Sequence, residues 1–425
     1  MAIETRLQVK YNQVQAKYQG YFSKPVFKFY RQMVYGILKS GHVHVSRIAK
    51  SLNEPISLKK TWERLSRHLG RTAFCTELLA AHGRENRRAF RSKQFWVLDL
   101  TDIRKMYAKA MEGLGRIHDG SIGESGNGYW VVNVAGVSPA SDSISLIYSE
   151  LYSLEHEKEN KASENSKILS AVRWMREHLG VTRPVVIDRG GDRRVLIEDF
   201  LQNKQEFIIR QRGDRHVFNG KNIVLVTKHA QHIDCRFKKT VTKIRHGKPR
   251  LTAYRGGASR VWFPKEKSDT VFSKALWLVR LTRKNGKAES WYLCDIPAET
   301  EEEAFETVMQ GYGCRWTIEE VHRQIKTDYH LEAVQLQRYN ALKNFNTIFW
   351  TALNFIYQHL EGLSVDLIFD CDEKLSYSYS IYDITGFVYY KLSRAVKLIF
   401  RKQKLNKFMR CPPSKTLNQL TLALE

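Results

Sequence analysis

Tyr312, Arg315, Glu319 and Lys326 are spaced so that one helix face would carry all four. They lie in a proline-free stretch, Tyr312 to Lys326, that follows a run of acidic helix formers from Glu299 to Glu306. At roughly 100° per residue, their offsets of 0, 3, 7 and 14 fall within an arc of about 60°. Such a face presents a carboxylate flanked by two cations and a phenol. Glu319 can hold a divalent metal ion there, and Arg315 and Lys326 can hold phosphate oxygens. Taken alone, the four also read as a solvated face with helical ion pairs. Gly311 and Gly313 are the weak points of this helix.

Two more carboxylates follow short apolar runs. Phe95-Trp96-Val97-Leu98 leads into Asp99, and Pro184-Val185-Val186-Ile187 leads into Asp188. Between them come a glycine-rich loop from Gly113 to Gly128, strands over Tyr129–Val137 and Ile144–Leu151, and a charged helix over Ser163–His178. A helix over Arg193–Asn203 and a strand over Phe207–Arg212 follow Asp188. The order β-β-β-α-β-α-β matches a ribonuclease-H-like core, in which the first and fourth strands lie side by side and parallel. Asp99 and Asp188 would then be neighbours at the carboxyl ends of those strands, where α/β sites form. For either aspartate alone, turn capping is the ordinary role. Asp102, Asp119 and Asp192 are rival carboxylates; loop or turn roles suit Asp119 and Asp192, and Asp102 suits a supporting position.

These residues must be held by a large frame. The chain has 425 residues, 43% hydrophobic, with a net charge of +25. Residues 1–93 carry +14, residues 204–290 carry +16, and the remainder carries −5. Two basic blocks around a slightly acidic core suit a DNA-binding enzyme with a carboxylate metal site, although structural RNA binders are basic too. The six cysteines are scattered without a CxxC pair, so neither a zinc site nor a disulfide framework is indicated, and reduced thiols are expected. No signal-peptide core follows Met1, and the apolar stretch Phe345–Leu360 is interrupted by Asn346, Asn354 and Gln358, which marks a core helix rather than a membrane span.

Residues 1–93 read as helical. Val45–Leu52 and Leu58–Leu69, the second capped by Ser57 and carrying Lys59, Lys60, Arg64 and Arg67, suggest a helix-turn-helix reading DNA. The alternative is an ordinary bundle with a basic surface. A third basic helix is expected over Cys75–Ser92. Residues 204–290 form a basic β insertion with segments at Ile223–Val226, Cys235–Ile244, Arg250–Tyr254, Val261–Phe263 and Ala275–Leu281, and turns at Gly220, His246–Pro249 and Gly256-Gly257. Trp291–Leu293 is a last strand. Beyond Lys326 the chain is mostly helical, with Ile356, Phe387 and Phe400 on apolar faces and a basic tail over Lys402–Arg410. The expected architecture is therefore α/β. A ribonuclease-H-like core (94–203 and 291–345) is interrupted by the β insertion (204–290), with a helical DNA-binding domain (1–93) before it and a helical C-terminal region (346–425) after it.

Asp99, Asp188 and Glu319 from two adjacent strands and a helix can hold two Mg²⁺ ions, with Mn²⁺ as a substitute, for in-line attack on a phosphodiester. The spacing Tyr312/Arg315/Glu319/Lys326 resembles the YREK signature of bacterial DDE transposases of the insertion-sequence-four family. Leu-Asp99-Leu-Thr-Asp-Ile-Arg-Lys resembles the site of that family's first catalytic aspartate, and Val-Val-Ile-Asp188-Arg that of its second. The resemblance covers about 94–345 and includes the β insertion. It implies cut-and-paste transposition through nicking, a DNA hairpin, its resolution and strand transfer, by dimers that bind inverted-repeat ends and target DNA and cleave in trans. It also implies a cytoplasmic, nucleoid-associated bacterial protein. A hairpin needs a base to leave the stack. In the resembling family a tryptophan before the YREK tyrosine receives it, which points to Trp291, with Trp262 and Trp277 as alternatives and core packing as the plain role. The rival classes are a DNA-binding regulator derived from a transposase and a ribonuclease-H-like nuclease or junction resolvase. Intact Asp99, Asp188 and Glu319 argue against the first; the helix pair and the insertion argue against the second.

Overall fold

Helix-forming runs at both ends of the chain pack over a sheet built from its middle. The computed structural model describes residues 2–119, 124–139, 141–160, 162–245, 248–265, 270–283, 289–371 and 388–409. Phe387, Arg410 and the His246-Gly247 turn lie outside them.

The first helices are α1 (Ile3–Ala16), α2 (Lys24–Ser40), α3 (Val45–Leu52) and α4 (Leu58–Leu69). Pro25 opens α2, and Gly41, at φ 60°, closes it in the left-handed conformation. Asn53 closes α3, and the Ser57 hydroxyl accepts from the Lys60 N–H to cap α4. Both bounds agree with the sequence. The expected single helix over Cys75–Ser92 is instead α5 (Phe74–Glu85) and α6 (Arg87–Arg91). It breaks at Asn86, whose buried side-chain amide donates to the His82 carbonyl and to the Tyr18 hydroxyl.

The strands are β1 (Phe95–Arg104), β2 (Gly115–Asp119), β3 (Glu124–Ser138), β4 (Ser141–Tyr152), β5 (Val185–Ile187), β6 (Phe207–Arg210), β7 (His216–Phe218), β8 (Ile223–Leu225), β9 (Phe237–Arg245), β10 (Lys248–Pro264), β11 (Val271–Arg283) and β12 (Glu289–Asp295). They form one mixed sheet ordered β2-β3-β1-β5-β6-β12-β11-β10-β7-β8, with β4 on β3 and β9 on β10. β1, β5 and β6 are parallel neighbours, and the other pairings are antiparallel. β5 and β6 read as unbroken apolar runs because both of their faces are covered.

Three expectations for these strands are corrected. β2 occupies part of the presumed glycine-rich loop. Gly256 and Gly257 are not a turn but lie inside β10. A Cβ on Gly257 would sit 1.9 Å from the Asp234 carbonyl, and one on Gly256 would meet Phe305 and the Arg280 carbonyl, so close approach rather than turning requires glycine. The Ile223–Val226 strand stops at Leu225, because Val226 and Ala230 bury one face of a short helix.

The remaining helices are α7 (Glu164–Leu179), α8 (Arg194–Gln202), α9 (Val226–Gln231), α10 (Glu301–Gly313), α11 (Trp316–Thr327), α12 (Tyr339–His359), α13 (Ser364–Cys371), α14 (Tyr389–Lys402) and α15 (Leu405–Phe408). Strand alternation sends side chains to two cores. Trp96, Leu98, Ile187, Ile209 and Leu293 pack with α7 and α8. Val97, Val186, Ile208 and Tyr292 pack with α10, α11 and α12, and this second core continues into α1–α5 and α14. The first 93 residues therefore share a hydrophobic core with the C-terminal helices; Arg31 of α2 donates to the carbonyls of Phe408 and Met409.

Candidate active site

Asp99 does not end its strand, as the sequence suggests, because β1 stays paired with β3 as far as Arg104. The parallel partner is what stops. β5 pairs with β1 at Trp96 and Val97 and ends at Ile187, so Asp188 turns out of the sheet beside Asp99. The Asp188 Oδ1 accepts from the Gly190 N–H at 2.7 Å and caps the turn Arg189–Gly191. A Cβ on Gly190 would lie 2.9 Å from that oxygen.

The surroundings of Asp99 shift its carboxyl group. Burial, the Asp188 charge and the Glu319 charge push the Asp99 carboxyl up to about 7, against the pull of Arg315 and a hydrogen bond from the Leu100 N–H. Asp99, Asp188, Glu319 and Arg315 therefore share one electrostatic neighbourhood.

The expected single helix over Tyr312–Lys326 is two helices. Thr300 and Glu303 form a reciprocal capping box at the start of α10. α10 ends at Gly313 and α11 begins at Trp316, so the helical-face arithmetic does not run unbroken from Tyr312 to Glu319. The grouping survives the break: the Arg315 guanidinium lies 5.7 Å from the Tyr312 ring centroid and pairs with Glu319. Tyr312 also meets the Tyr292 ring edge-on, with centroids 4.6 Å apart. Lys326 is engaged elsewhere, 2.8 Å from Asp102 and 3.3 Å from Glu332. Asp102 is thus the Lys326 counter-ion. Asp192 is buried and bonded to the Arg212 N–H and the Arg215 side chain, so it pins the start of the insertion. The Asp119 side chain is outside the described set.

Glu319 is 47% exposed and held by Arg315, and among the described residues no three His, Cys, Asp or Glu side chains converge on one metal position. The donor chemistry fits Mg²⁺ or Mn²⁺ all the same: hard carboxylate oxygens, with the Asp99 carboxyl raised by burial and by the Asp188 charge beside it.

Other expected site residues lie apart from this cluster. Trp291 neighbours Tyr292 on β12, so it points to the opposite face of the sheet, where it packs beside the α7–α8 core and against Gly213. Its indole nitrogen is buried and has no hydrogen-bond partner among the described residues. Trp277 is buried and donates to the Ala298 carbonyl, and Trp262 meets Phe218 edge-on. Lys59 and Lys60 are exposed on α4, whereas Arg64 is paired with Glu54 at 2.5 Å.

Sequence reasoning missed His322, Asn133 and Tyr292. His322 stands one turn beyond Glu319, and Asn133 is the lone amide in the apolar run Tyr129–Val137. Tyr292 had no signal apart from its alternation with Trp291.

Residues 148–355 match the family model of the transposase DDE domain. The matched stretch runs from β4 into α12 and takes in Asp188 and Glu319. It supports a transposase with a DDE-type domain. No curated protein matches the sequence. A solved structure, the cryo-EM structure of a piggyBac transposase synaptic complex with hairpin DNA, is similar with a TM-score of 0.39 and 11% identity, over 97% of this chain and 80% of that chain. Among the described residues no helix is long and apolar enough to cross a membrane.

Proposed function

We propose that the protein is a cut-and-paste DNA transposase of the insertion-sequence-four type, with a ribonuclease-H-like core in which Asp99, Asp188 and Glu319 hold two Mg²⁺ ions. The observation that carries this reading is the pairing of Asp99 with Asp188 at the point where two parallel strands part, with the charge of one raising the carboxyl of the other. When bound, the cations supply activation of a water or 3′-hydroxyl and stabilisation of the leaving oxygen. Asp99 and Asp188 orient on the sheet through the Leu100 and Gly190 N–H groups. Glu319 joins them once Arg315 is drawn away by a phosphate of the DNA, and Tyr312 flanks the same phosphate. Lys326 reaches phosphate only by exchanging Asp102 and Glu332 for it. Residues 1–93 serve as the DNA-binding region, with Lys59 and Lys60 on the backbone. Residues 94–203 and 291–345 serve as the catalytic core, 204–290 as a basic insertion along the DNA, and 346–425 as a helical support. A homodimer on paired inverted-repeat ends, in the bacterial nucleoid, completes the reading.

One observation favours a second reading, a DNA-binding regulator: Glu319 is occupied by Arg315. The deciding experiment uses duplexes carrying the inverted repeats that flank the gene. Mg²⁺-dependent nicking at the repeat boundary followed by joining to a target duplex is expected. Tight end binding with no cleavage in Mg²⁺ or Mn²⁺ would leave the regulator.

A further inference from the structure

Asp99 has a neighbour that the proposed chemistry does not use. Asn133 lies directly across from Asp99 in the β1–β3 register, on the same face of the sheet. His322 of α11 packs over both. Its Nε2 is 3.0 Å from the Asn133 Nδ2, and its Nδ1 is 3.7 Å from the Asp99 Oδ2. Asn133 is 1% exposed and His322 8%. The Asn133 Nδ2 can only donate, so the Nε2 that faces it accepts and the ring is neutral. A neutral imidazole has one donor and one acceptor nitrogen. With the Asn133 amide donating to Nε2, the ring proton belongs on Nδ1, the nitrogen that faces the carboxylate.

We propose that His322 is a positioning residue for Asp99, with its tautomer set by Asn133, so that the Nδ1–H steers the Asp99 Oδ2 while the Leu100 N–H holds Oδ1. Both carboxylate oxygens are then oriented and keep lone pairs for a divalent cation. Groups of this kind, one step back from a metal, commonly set ligand orientation and change affinity by about 10–100-fold. The inference rests on the metal site proposed above. It explains why an asparagine interrupts an apolar strand and why a histidine is buried one turn from Glu319. It also gives α11 a contact to β1 that does not depend on the Arg315–Glu319 pair.

The test has one arm that needs no metal. In full-length protein labelled with ¹⁵N-histidine, with the His322 signal identified by its loss in His322→Asn, the Nδ1–H tautomer is expected, and Asn133→Leu should weaken that preference. An Nε2–H tautomer in the wild type overturns the proposal whether or not the protein is a transposase. The second arm measures Mn²⁺ affinity by calorimetry alongside the melting temperature. His322→Phe should bind Mn²⁺ about tenfold more weakly while remaining folded. His322→Asn, whose amide nitrogen stands where Nδ1 stood, should recover most of that loss, and His322→Gln, which mimics Nε2, should not. Equal affinities for the Asn and Gln variants sink the positioning role even if the Phe variant does not fold. Wild-type binding of Mn²⁺ that Asp188→Ala leaves unchanged would instead overturn the metal site itself.

Discussion

Tyr292 and Trp291 are adjacent on β12, yet they belong to different parts of the machine. Tyr292 faces α10 and touches Tyr312, beside the carboxylates; Trp291 faces the α7–α8 core across the sheet. The contrast extends to the whole sheet. The face carrying Asp99, Asn133 and Asp188 tolerates crowded like charge and a buried histidine. The opposite face, with Trp96, Leu98, Ile187, Ile209 and Leu293, is apolar packing. Period-two alternation separates the two roles within single strands.

The largest effects should fall on the charged face. Asp99→Ala, Asp188→Ala and Glu319→Ala should each reduce cleavage of end DNA by about 10³-fold or more, the scale set by losing a group aimed at transition-state charge. End binding, measured by gel shift, should stay near wild type because it depends on the basic regions. Near wild-type nicking by any of the three would remove the contrast between faces.

On the opposite face, Trp291→Ala should act through stability. A partly buried tryptophan cut to alanine costs about 2–4 kcal/mol by cavity formation, so the melting temperature should fall and every reaction step should suffer equally. A folded Trp291→Ala protein that nicks normally but stalls at the hairpin would assign the base-stacking role to Trp291 despite its position. Tyr292→Phe should leave the melting temperature almost unchanged, since among the described residues its hydroxyl donates only to the Ser290 hydroxyl on the same strand.

A third experiment tests the crowding itself. The Asp99 carboxyl is raised to about 7 in the fold, so the native state binds more protons than the unfolded chain between about 4 and 7. That group therefore costs metal-free protein stability as pH rises through this window. Asp99→Asn should raise the melting temperature of metal-free protein at pH 8 and change it little at pH 4. Mg²⁺ should stabilise the wild type at pH 8 and not the Asn variant. Equal behaviour of the two proteins at both pH values would mean that Asp99 is not under strain.

The smallest effects should come from α4. Lys59→Ala and Lys60→Ala should each weaken duplex binding modestly and reduce the slope of log affinity against log salt by about 0.9. Arg64→Ala should leave that slope unchanged, because its guanidinium is committed to Glu54.

Much of this was readable from the residues. The helices α3 and α4, the apolar strands before Asp99 and Asp188, and the parallel pairing of those strands follow from local periodicity, caps and connection order. The same signals failed where a distant contact overrode them. Gly256-Gly257 has turn composition, but neighbouring backbone presses on both residues and holds them in a strand. Cys75–Ser92 has helical composition, but the buried Asn86 amide breaks it.

The sequence by itself determined which residues are candidates for the chemistry: acids at the ends of apolar runs and cations at helical spacing are local patterns. Only the tertiary structure decided what each one faces. Arg315 sits on Glu319, Lys326 on Asp102, Arg64 on Glu54, and Trp291 on the far face of the sheet. Helical spacing allows the Arg315–Glu319 pair, but Lys326 and Asp102 are 224 positions apart and no spacing rule encodes their contact. The Asn133–His322–Asp99 arrangement is the clearest case, since strand register and helix packing together bring residues 189 positions apart within 3.0 Å.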